Sequence, residues 1–292
     1  MDSRRVTRAA VVQAGSILFD TAATVAKLEA MAEAASSQGA QLAVFPEALL
    51  GGYPKGMNFG AVVGHRTPEG RQEFRRYFES AIDVPGPVTA QLSETARRYN
   101  LWMVVGVIER DGGTLYCTAL FVAPDGTLAG KHRKLMPTAM ERLIWGYGDG
   151  STLPVLDTPI GRMGAVICWE NYMPALRLAM YSKNIEIYCA PTVDDRETWA
   201  ISMRHIAFEG RCFVLSAVQC TDTIRGGSII VSPHGHVLAG PVFGEETILV
   251  ADLDLDQIPE GKYDLDVTGH YARPDVFRLT VNERPMRAVS GE

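Results

Sequence analysis

The sequence lacks the features that mark several classes of protein. It has no apolar run long enough to cross a bilayer, and no low-complexity tract or linker rich in glycine, serine or proline. It also has no basic excess: the net charge of -6 argues against nonspecific nucleic-acid binding. No long apolar segment with a cleavage site follows the charged N-terminus. We therefore expect no secretory signal and a cytoplasmic protein.

Cysteine is scarce, and its pattern does not fit a disulfide or zinc framework. The five cysteines form no CxxC pair, and most stand among apolar residues. We expect them to be reduced and buried, with no metal bound. Cys168 differs because it ends the apolar run "GAVIC" and is followed at once by the polar "WEN". It is either a small core residue or a nucleophile held where a strand meets a helix.

Apolar strands alternate with helical segments along the chain. Strands are predicted at residues 8–15, 40–47, 101–110, 162–168, 184–191 and 212–219, and helices at 20–40, 89–100, 170–183 and 196–211. Buried strands separated by helices are typical of an α/β protein. With 292 residues, 47% of them hydrophobic, the chain has ample material for a large core.

Two segments of the chain, 119–134 and 228–243, resemble each other. Both have an apolar strand, a Pro-x-Gly turn and a second strand containing Leu-Ala-Gly. Each is predicted to be a β-hairpin, because Asp-Gly and His-Gly favour the positive φ of hairpin turns. The likeness is either chance or a sign of two stacked sheets built from similar halves. Since no linker separates the halves, we expect a single domain over residues 1–292.

Polar side chains stand where several predicted strands end. Glu47 ends one strand, Lys134 follows a hairpin with Glu141 seven positions later, and Cys168 ends another strand. Ligands of α/β sheets gather beyond the carboxyl ends of the strands, so these groups are candidates for one site. A carboxylate can take the proton of a thiol while an ammonium steadies the thiolate. If Cys168 opens a helix, the helix dipole and the N–H of Trp169 favour the same charge.

Taken singly, each of these residues also has an ordinary interpretation. Glu47 alone fits a helix-start carboxylate, and Lys134 alone fits a solvated charge in the basic run "KHRK". His132 lies in that same run, where a structural role is favoured over a base or a metal ligand. His234 and His236 are an H-x-H pair without acidic or thiol partners at metal-site spacing, which favours a plain turn.

Four long motifs in order decide between these interpretations. They are "FPEALLGGYPKG", "HRKLMPTAMERLIWGYGDGS", "GAVICWENYMPALR" and "RETWAISMRHIAFEGRCFVLSA". With these motifs the chain resembles the nitrilase superfamily of carbon–nitrogen hydrolases, and within it the true nitrilase branch. The resemblance extends from "AVVQAG" near the start to "GHYARPDVFRL" at 269–279.

The resemblance implies a fold and a set of catalytic residues. The fold is a four-layer αββα sandwich, two stacked mixed sheets flanked by helices. Glu47 is implied as general base, Lys134 as the group that stabilises the intermediates, and Cys168 as nucleophile. Glu141 matches a second glutamate that orients the lysine and the hydrolytic water. The backbone N–H of Trp169 is implied to help hold developing negative charge.

The implied reaction is hydrolysis of a nitrile to a carboxylic acid and ammonia through a cysteine thioimidate and a thioester, with no cofactor. Alternatives within the same chemistry are a cyanide hydratase or dihydratase and, lower in rank, an amidase or carbamoylase. A non-catalytic binding or scaffold protein that keeps the fold is the alternative from another class. Residues beside the motifs are candidates for the substrate pocket: Tyr53, Thr138, Trp145, Trp169, Pro191 and Thr192.

The resemblance also carries an expectation about assembly. Members of the family imply a homodimer or a higher homo-oligomer built from dimers. The chain ends soon after "RPDVFRLTVNERP", with a short C-terminal tail from about residue 280. Because longer tails support spiral assemblies in nitrilases, the short tail argues against a large filament.

Overall fold

The computed structural model describes residues 4–286, so the predicted tail is described only as far as residue 286. The strands are β1 (Val6–Gln13), β2 (Leu42–Val44), β3 (Ile82–Asp83), β4 (Trp102–Asp111), β5 (Thr114–Val122), β6 (Leu128–Arg133), β7 (Met163–Ala165), β8 (Ile187–Cys189), β9 (Phe213–Ser216), β10 (Cys220–Thr221), β11 (Ile224–Val231), β12 (Val237–Phe243) and β13 (Thr247–Asp254). The helices are α1 (Thr21–Ser37), α2 (Pro68–Ser80), α3 (Pro87–Tyr99), α4 (Pro174–Ser182), α5 (Glu197–Gly210) and α6 (Gln257–Asp264). Short 3₁₀ helices span Ala139–Leu143, Gly150–Thr152 and Cys168–Tyr172.

The strands form two mixed sheets. In the first sheet the order is β13-β1-β2-β4-β5-β6, with β3 beside β4. The β1–β2 and β2–β4 pairs are parallel, and the outer pairs of this path are antiparallel. In the second sheet the order is β10-β11-β9-β8-β7, with β12 beside β11. Both predicted hairpins are present, as β5–β6 and β11–β12.

The side chains of single strands show how the layers stack. On β1, Ala9 and Val11 belong to a core that also contains Ile187 of β8, so the two sheets face each other. The alternate residue Val12 belongs to a second core with α1 and α3, because successive side chains point to opposite faces of a strand. A third core joins the second sheet to α4 and α5. The four-layer αββα sandwich expected from the sequence is confirmed.

Most predicted helices are found close to their predicted bounds. Asp20 caps α1, its carboxylate accepting from the N–H of Ala23, and Gly39 follows the helix at φ +81°. The prediction of one helix over 170–183 was wrong. A proline disfavours helical geometry in the residue before it, and Met173 is extended, so α4 begins only at Pro174. Within residues 4–286, no helix combines the length and apolarity needed to span a bilayer.

The basic run "KHRK" lies on strand β6 and just after it, and its side chains point alternately to the two faces of the sheet. Lys131 and Arg133 point to the helix side, where both bind the buried carboxylate of Glu109 at 2.5–2.9 Å. His132 within the strand, and Lys134 just beyond it, are buried instead of solvated. The alternative of a solvated Lys134 is therefore wrong, because the two-residue period of the strand directs it between the sheets.

Candidate active site

Three segments that follow strands bring the candidate residues together. Glu47 comes three residues after β2, Lys134 directly after β6, and Cys168 three residues after β7. Backbone hydrogen bonds extend the pairing past the strand ends: the N–H of Lys134 donates to Cys117 and that of Cys168 donates to Pro191. Glu47 and Lys134 thus belong to the first sheet, and Cys168 belongs to the second.

The backbone at Glu47 lies against β4 at Gly106. A Cβ built on Gly106 would fall 2.1 Å from the carbonyl oxygen of Pro46 and 2.7 Å from the Cα of Glu47. Any side chain there would push the Glu47 segment away from the sheet. The absence of a side chain at Gly106 therefore helps to set the depth of Glu47.

The ammonium of Lys134 lies between two carboxylates. Its Nζ donates to Glu47 Oε1 at 2.7 Å and to Glu141 Oε2 at 2.8 Å. The hydroxyl of Tyr53 donates to the other oxygen of Glu141 at 2.8 Å, and the N–H of Thr138 donates to Oε2 at 2.7 Å. Because the Lys134 side chain is fully enclosed, both ion pairs act in a low-dielectric interior.

The two oxygens of Glu47 have different surroundings. Oε1 accepts from Lys134 and, at 3.5 Å, from the thiol of Cys117. Oε2 is buried without a hydrogen-bond partner among the described residues. A buried carboxylate oxygen with free lone pairs is ready to accept a proton. The Cys168 thiol lies close enough to act on the pKa of Glu47.

Burial and charge shift the pKa values of these three residues. Burial raises the pKa of Glu47, opposed in part by Lys134. Burial and the Glu47 charge raise the pKa of the Cys168 thiol, again opposed by Lys134. Burial alone would lower the pKa of Lys134, but the surrounding acidic groups, Glu47 foremost, together outweigh burial and hold that pKa well above its usual range. The resting Cys168 thiol is therefore protonated, and it lies beside a permanent cation, Lys134, and a base, Glu47.

Cys168 sits on a sharp turn between strand and helix. Its φ is +51°, a conformation that costs a non-glycine residue energy and marks functional sites. The amide of Asn171 donates to the Cys168 carbonyl at 2.7 Å and supports the turn. The segment that follows is a five-residue 3₁₀ helix and not the α-helix expected from the sequence. A helix dipole is correspondingly a minor source of thiolate stabilisation here.

A cleft of about 280 Å³ opens onto Cys168. Of the residues expected to shape a pocket, Tyr53, Thr138 and Trp169 line this cleft. The Thr138 hydroxyl is buried without a hydrogen-bond partner among the described residues. Pro191 does not line the cleft and instead holds the Cys168 backbone through its carbonyl oxygen.

The two remaining pocket candidates lie behind the cleft wall. Trp145 is buried, packs edge-on against Tyr53 and has the Lys134 ammonium 5.5 Å from its ring centre. The Thr192 hydroxyl accepts from the N–H of Asp194 and acts on the pKa of Cys168, lowering it.

Several polar residues of the cleft were not predicted from the sequence. Asp194 and Arg196 form an ion pair at its rim, and the Arg196 guanidinium lies 4.7 Å from the Trp169 ring centre. Trp169 Nε1 donates to Asp194 at 2.9 Å, and Lys55 also lines the cleft. The charged run "DDRE" at 194–197, a few residues after the strand predicted over 184–191, was the available signal for the first two.

Comparison with known proteins decides the family. The sequence pattern of the family described as carbon-nitrogen hydrolase matches residues 8–263. The chain belongs to the carbon–nitrogen hydrolase family. This carbon–nitrogen hydrolase is 59% identical over 301 aligned positions to an aliphatic nitrilase from Sinorhizobium fredii (strain HH103), a match covering 97% of each chain. It is 54% identical over 307 positions to a bifunctional nitrilase/nitrile hydratase from Nicotiana tabacum, covering 97% of this chain and 88% of that one.

Solved structures agree on the fold. The yeast protein Nit3 from Saccharomyces cerevisiae, a member of branch 10 of the nitrilase superfamily, matches with a TM-score of 0.74 at 23% identity. That match covers 91% of this chain and 96% of Nit3. The C. elegans NitFhit protein matches with a TM-score of 0.79 at 22% identity, covering 99% of this carbon–nitrogen hydrolase and 70% of NitFhit. The family and the fold predicted from the sequence are both confirmed.

The histidines outside the cleft do not form a metal site. Among residues 4–286, no group of three or more His, Cys, Asp or Glu side chains is arranged to hold a metal ion. His234 and His236 flank Gly235 within the β11–β12 turn, where the N–H of Gly235 donates to the carbonyl oxygen of Ser232. This placement agrees with the plain turn expected from the sequence.

Proposed function

We propose that this carbon–nitrogen hydrolase is a nitrilase, which converts an organic nitrile and two water molecules to a carboxylic acid and ammonia. The observation that carries the proposal is the buried Glu47–Lys134–Glu141 charge cluster beside Cys168, at the end of a cleft. The similarity to proteins named nitrilases over nearly the whole chain supports the same reaction.

The first step forms the thioimidate. The sulfur of Cys168 bonds to the nitrile carbon, while Glu47 accepts the thiol proton, for which its unpartnered Oε2 is suited. One π bond of the nitrile becomes a lone pair on nitrogen, and that nitrogen takes from Glu47 the proton that came from the thiol. The Lys134 ammonium stabilises the negative charge that develops on nitrogen, and the backbone N–H of Trp169 is the proposed second donor.

Two water additions complete the reaction. Glu47 takes a proton from the first water, whose oxygen bonds to the thioimidate carbon, and the tetrahedral species loses ammonia to leave a thioester. A second water cleaves the carbon–sulfur bond, which releases the acid and restores the thiol. Glu141 positions Lys134, whose ammonium it holds at 2.8 Å, and it lines the cleft, where it can also orient the attacking water. If the carbon–sulfur bond breaks before the carbon–nitrogen bond, the product is an amide.

The substrate lies in the cleft of about 280 Å³ that leads to Cys168. Tyr53 and Trp169 provide its walls. The Thr138 hydroxyl has no hydrogen-bond partner within residues 4–286, so it is available to a polar group of the substrate or to the attacking water. The candidates that do not line the cleft, Trp145, Pro191 and Thr192, support the residues that touch the substrate. Aromatic walls give contact area to apolar substituents.

A substrate panel tests this proposal. The purified protein is incubated with aliphatic, arylaliphatic and aromatic nitriles, with cyanide and with the matching amides, and ammonia, acid and amide are quantified separately. We expect organic nitriles to give acid and ammonia in equal amounts. Turnover confined to cyanide or to amides would contradict the nitrilase assignment. A minor amide fraction agrees with it, because a relative at 54% identity is named a bifunctional nitrilase/nitrile hydratase.

Three further proposals concern the chain as a whole. We propose a single domain, because the two sheets share one core. We propose a cytoplasmic location, since the five cysteines are free thiols and free thiols are typical of reducing compartments. We propose a homodimer or a multiple of it. The exposed side chains of Ile201 and Phe208, seven positions apart on the outer side of α5, support an apolar contact between copies.

The oligomer proposal predicts a mass in solution. Light scattering of the eluted peak is expected to give at least twice the 31.8 kDa of one chain. The substitution Phe208→Glu is expected to shift the peak towards single chains, because a charge would be buried at the contact. Glu73→Gln on α2 is the control, and we expect it to leave the mass unchanged. A wild-type mass of one chain would contradict the proposal.

A further inference from the structure

Glu170, the glutamate of the "CWEN" motif, has no role in the reaction proposed above, yet it is as deeply buried as the catalytic residues. Its side chain is fully enclosed and accepts three hydrogen bonds. Oε1 accepts from the N–H of Leu135 at 2.5 Å. Oε2 accepts from the N–H of Ile167 and from His132 Nε2, both at 2.9 Å.

The two backbone donors adjoin two proposed catalytic residues. Leu135 follows Lys134 in the chain, and Ile167 precedes Cys168. Lys134 extends the first sheet and Cys168 extends the second, so one carboxylate bridges the sheets beside the site. We propose that Glu170 is a positioning residue, which fixes the Lys134 ammonium relative to the Cys168 sulfur, and that His132 assists it as a buried imidazolium.

The protonation of His132 follows from its two partners. Nδ1 lies 2.6 Å from the carbonyl oxygen of Thr152, which can only accept, so Nδ1 carries a hydrogen. Nε2 faces Glu170 Oε2. Glu170 Oε2 also accepts the N–H of Ile167, and in this proposal it accepts from the ring of His132 as well, so that Nε2 is a second donor. Both ring nitrogens carry hydrogen, and His132 is positively charged.

The surroundings of this ion pair are consistent with that charge. Burial alone would lower the pKa of His132, but the Glu170 carboxylate and the Thr152 carbonyl together outweigh burial and raise that pKa. Burial holds the pKa of the neighbouring Tyr188 phenol well above its usual range, and the Glu170 charge raises that pKa further. Arg177 also acts on Tyr188, and its guanidinium donates to the carbonyl oxygen of Asn171 in the same 3₁₀ helix.

The geometry explains why a carboxylate is needed at this position. Three donors converge on two oxygens, and an amide would place one N–H against another donor whichever way it turned. A shorter side chain would not reach both segments at once. Loss of the bridge moves Lys134 and Cys168 relative to each other, and a displacement on the order of 1 Å costs about 10²-fold in rate.

The test compares Glu170→Gln with a matched control, Glu186→Gln. Glu186 is also a buried carboxylate that accepts a backbone N–H, from Arg162 at 2.8 Å, and binds an arginine, Arg5. It lies before β8, at the end of the second sheet remote from Cys168. Both variants remove one buried charge, so we expect similar losses in melting temperature.

The kinetic readout separates positioning from stability. This arm rests on the proposed nitrilase function. We expect Glu170→Gln to lower kcat by about 10- to 100-fold with KM changed less than threefold, because the cleft walls are untouched. Glu186→Gln is expected to keep the wild-type kcat. Equal kcat in wild type and in folded Glu170→Gln would overturn the proposal.

Two further readouts hold even if no nitrile is turned over. Nitrogen-15 spectra of the imidazoles are expected to show two protonated ring nitrogens on His132 in the wild type at pH 7.5, and one in Glu170→Gln. The rate of Cys168 alkylation by iodoacetamide is expected to shift to higher pH in Glu170→Gln, because a displaced Lys134 stabilises the thiolate less. A neutral His132 in the wild type, or identical alkylation profiles, would overturn the proposal.

Discussion

Replacing Cys168 by alanine is expected to lower nitrile turnover by about 10⁴-fold or more, since the thioimidate and thioester both require its sulfur. The thiol of Cys117 donates towards Glu47 and does not line the cleft, so it cannot reach a substrate there. The measurement is ammonia release together with intact-protein mass after an acid quench. The wild type is expected to gain the mass of an acyl group, and the variant is not.

The matched control for this prediction is Cys212→Ala. Cys212 is another buried free thiol, in the core between the second sheet and its helices. The same atoms are removed, so any effect of losing a buried sulfur on stability is shared. We expect Cys212→Ala to retain turnover and the covalent intermediate. Turnover by Cys168→Ala within tenfold of the wild type would exclude Cys168 as the nucleophile.

Replacing Glu47 by glutamine is expected to lower nitrile turnover by about 10³-fold, because the amide cannot take the proton from the thiol or from water. The reactivity of the Cys168 thiol is not expected to fall together with turnover. The charge of Glu47 raises the pKa of Cys168 and that of Lys134 lowers it, so the variant leaves the cation unopposed by its nearest carboxylate. We expect Cys168 in the variant to react with iodoacetamide at neutral pH at least as fast as in the wild type.

Turnover and Cys168 alkylation, measured together on Glu47→Gln, distinguish a catalytic base from a residue that only maintains the fold. If Glu47 only maintained the fold, turnover and alkylation would fall together with the melting temperature. If it is the base, turnover falls while the thiol stays reactive. Glu186→Gln serves again as the control for loss of a buried carboxylate. Retention of wild-type turnover by Glu47→Gln would refute the assignment of the base.

The features that the sequence predicts well are those with local causes. The strand ends at Glu47, Lys134 and Cys168 could be located from short apolar runs followed by polar residues, and the motifs identified the family. The start of α1 followed from its Asp20 cap. Of the three side chains expected to converge from strand ends alone, Lys134 and Glu47 are in contact at 2.7 Å.

The features that it does not predict depend on contacts between distant residues. No local sequence pattern predicts β13, because this strand is half-exposed and its partner β1 lies at the other end of the chain. Helix α2 is dominated by polar and charged residues and buries few side chains, so no apolar run marks it in the sequence. Glu170 lies 38 positions from its partner His132, and their contact can be recognised only in the folded structure, where the two sheets stack.

The pairing of β1 with β13 also has a consequence for how the chain is made. All eight residues of β1 pair with β13, from Val6 with Asp254 to Gln13 with Thr247. A ribosome adds about 5–20 residues per second, so β13 is synthesised on the order of ten seconds or more after β1. During that interval the first strand has an open edge, which is an aggregation hazard. Chaperone binding to the nascent chain would protect this edge until the last strand of the sheet arrives.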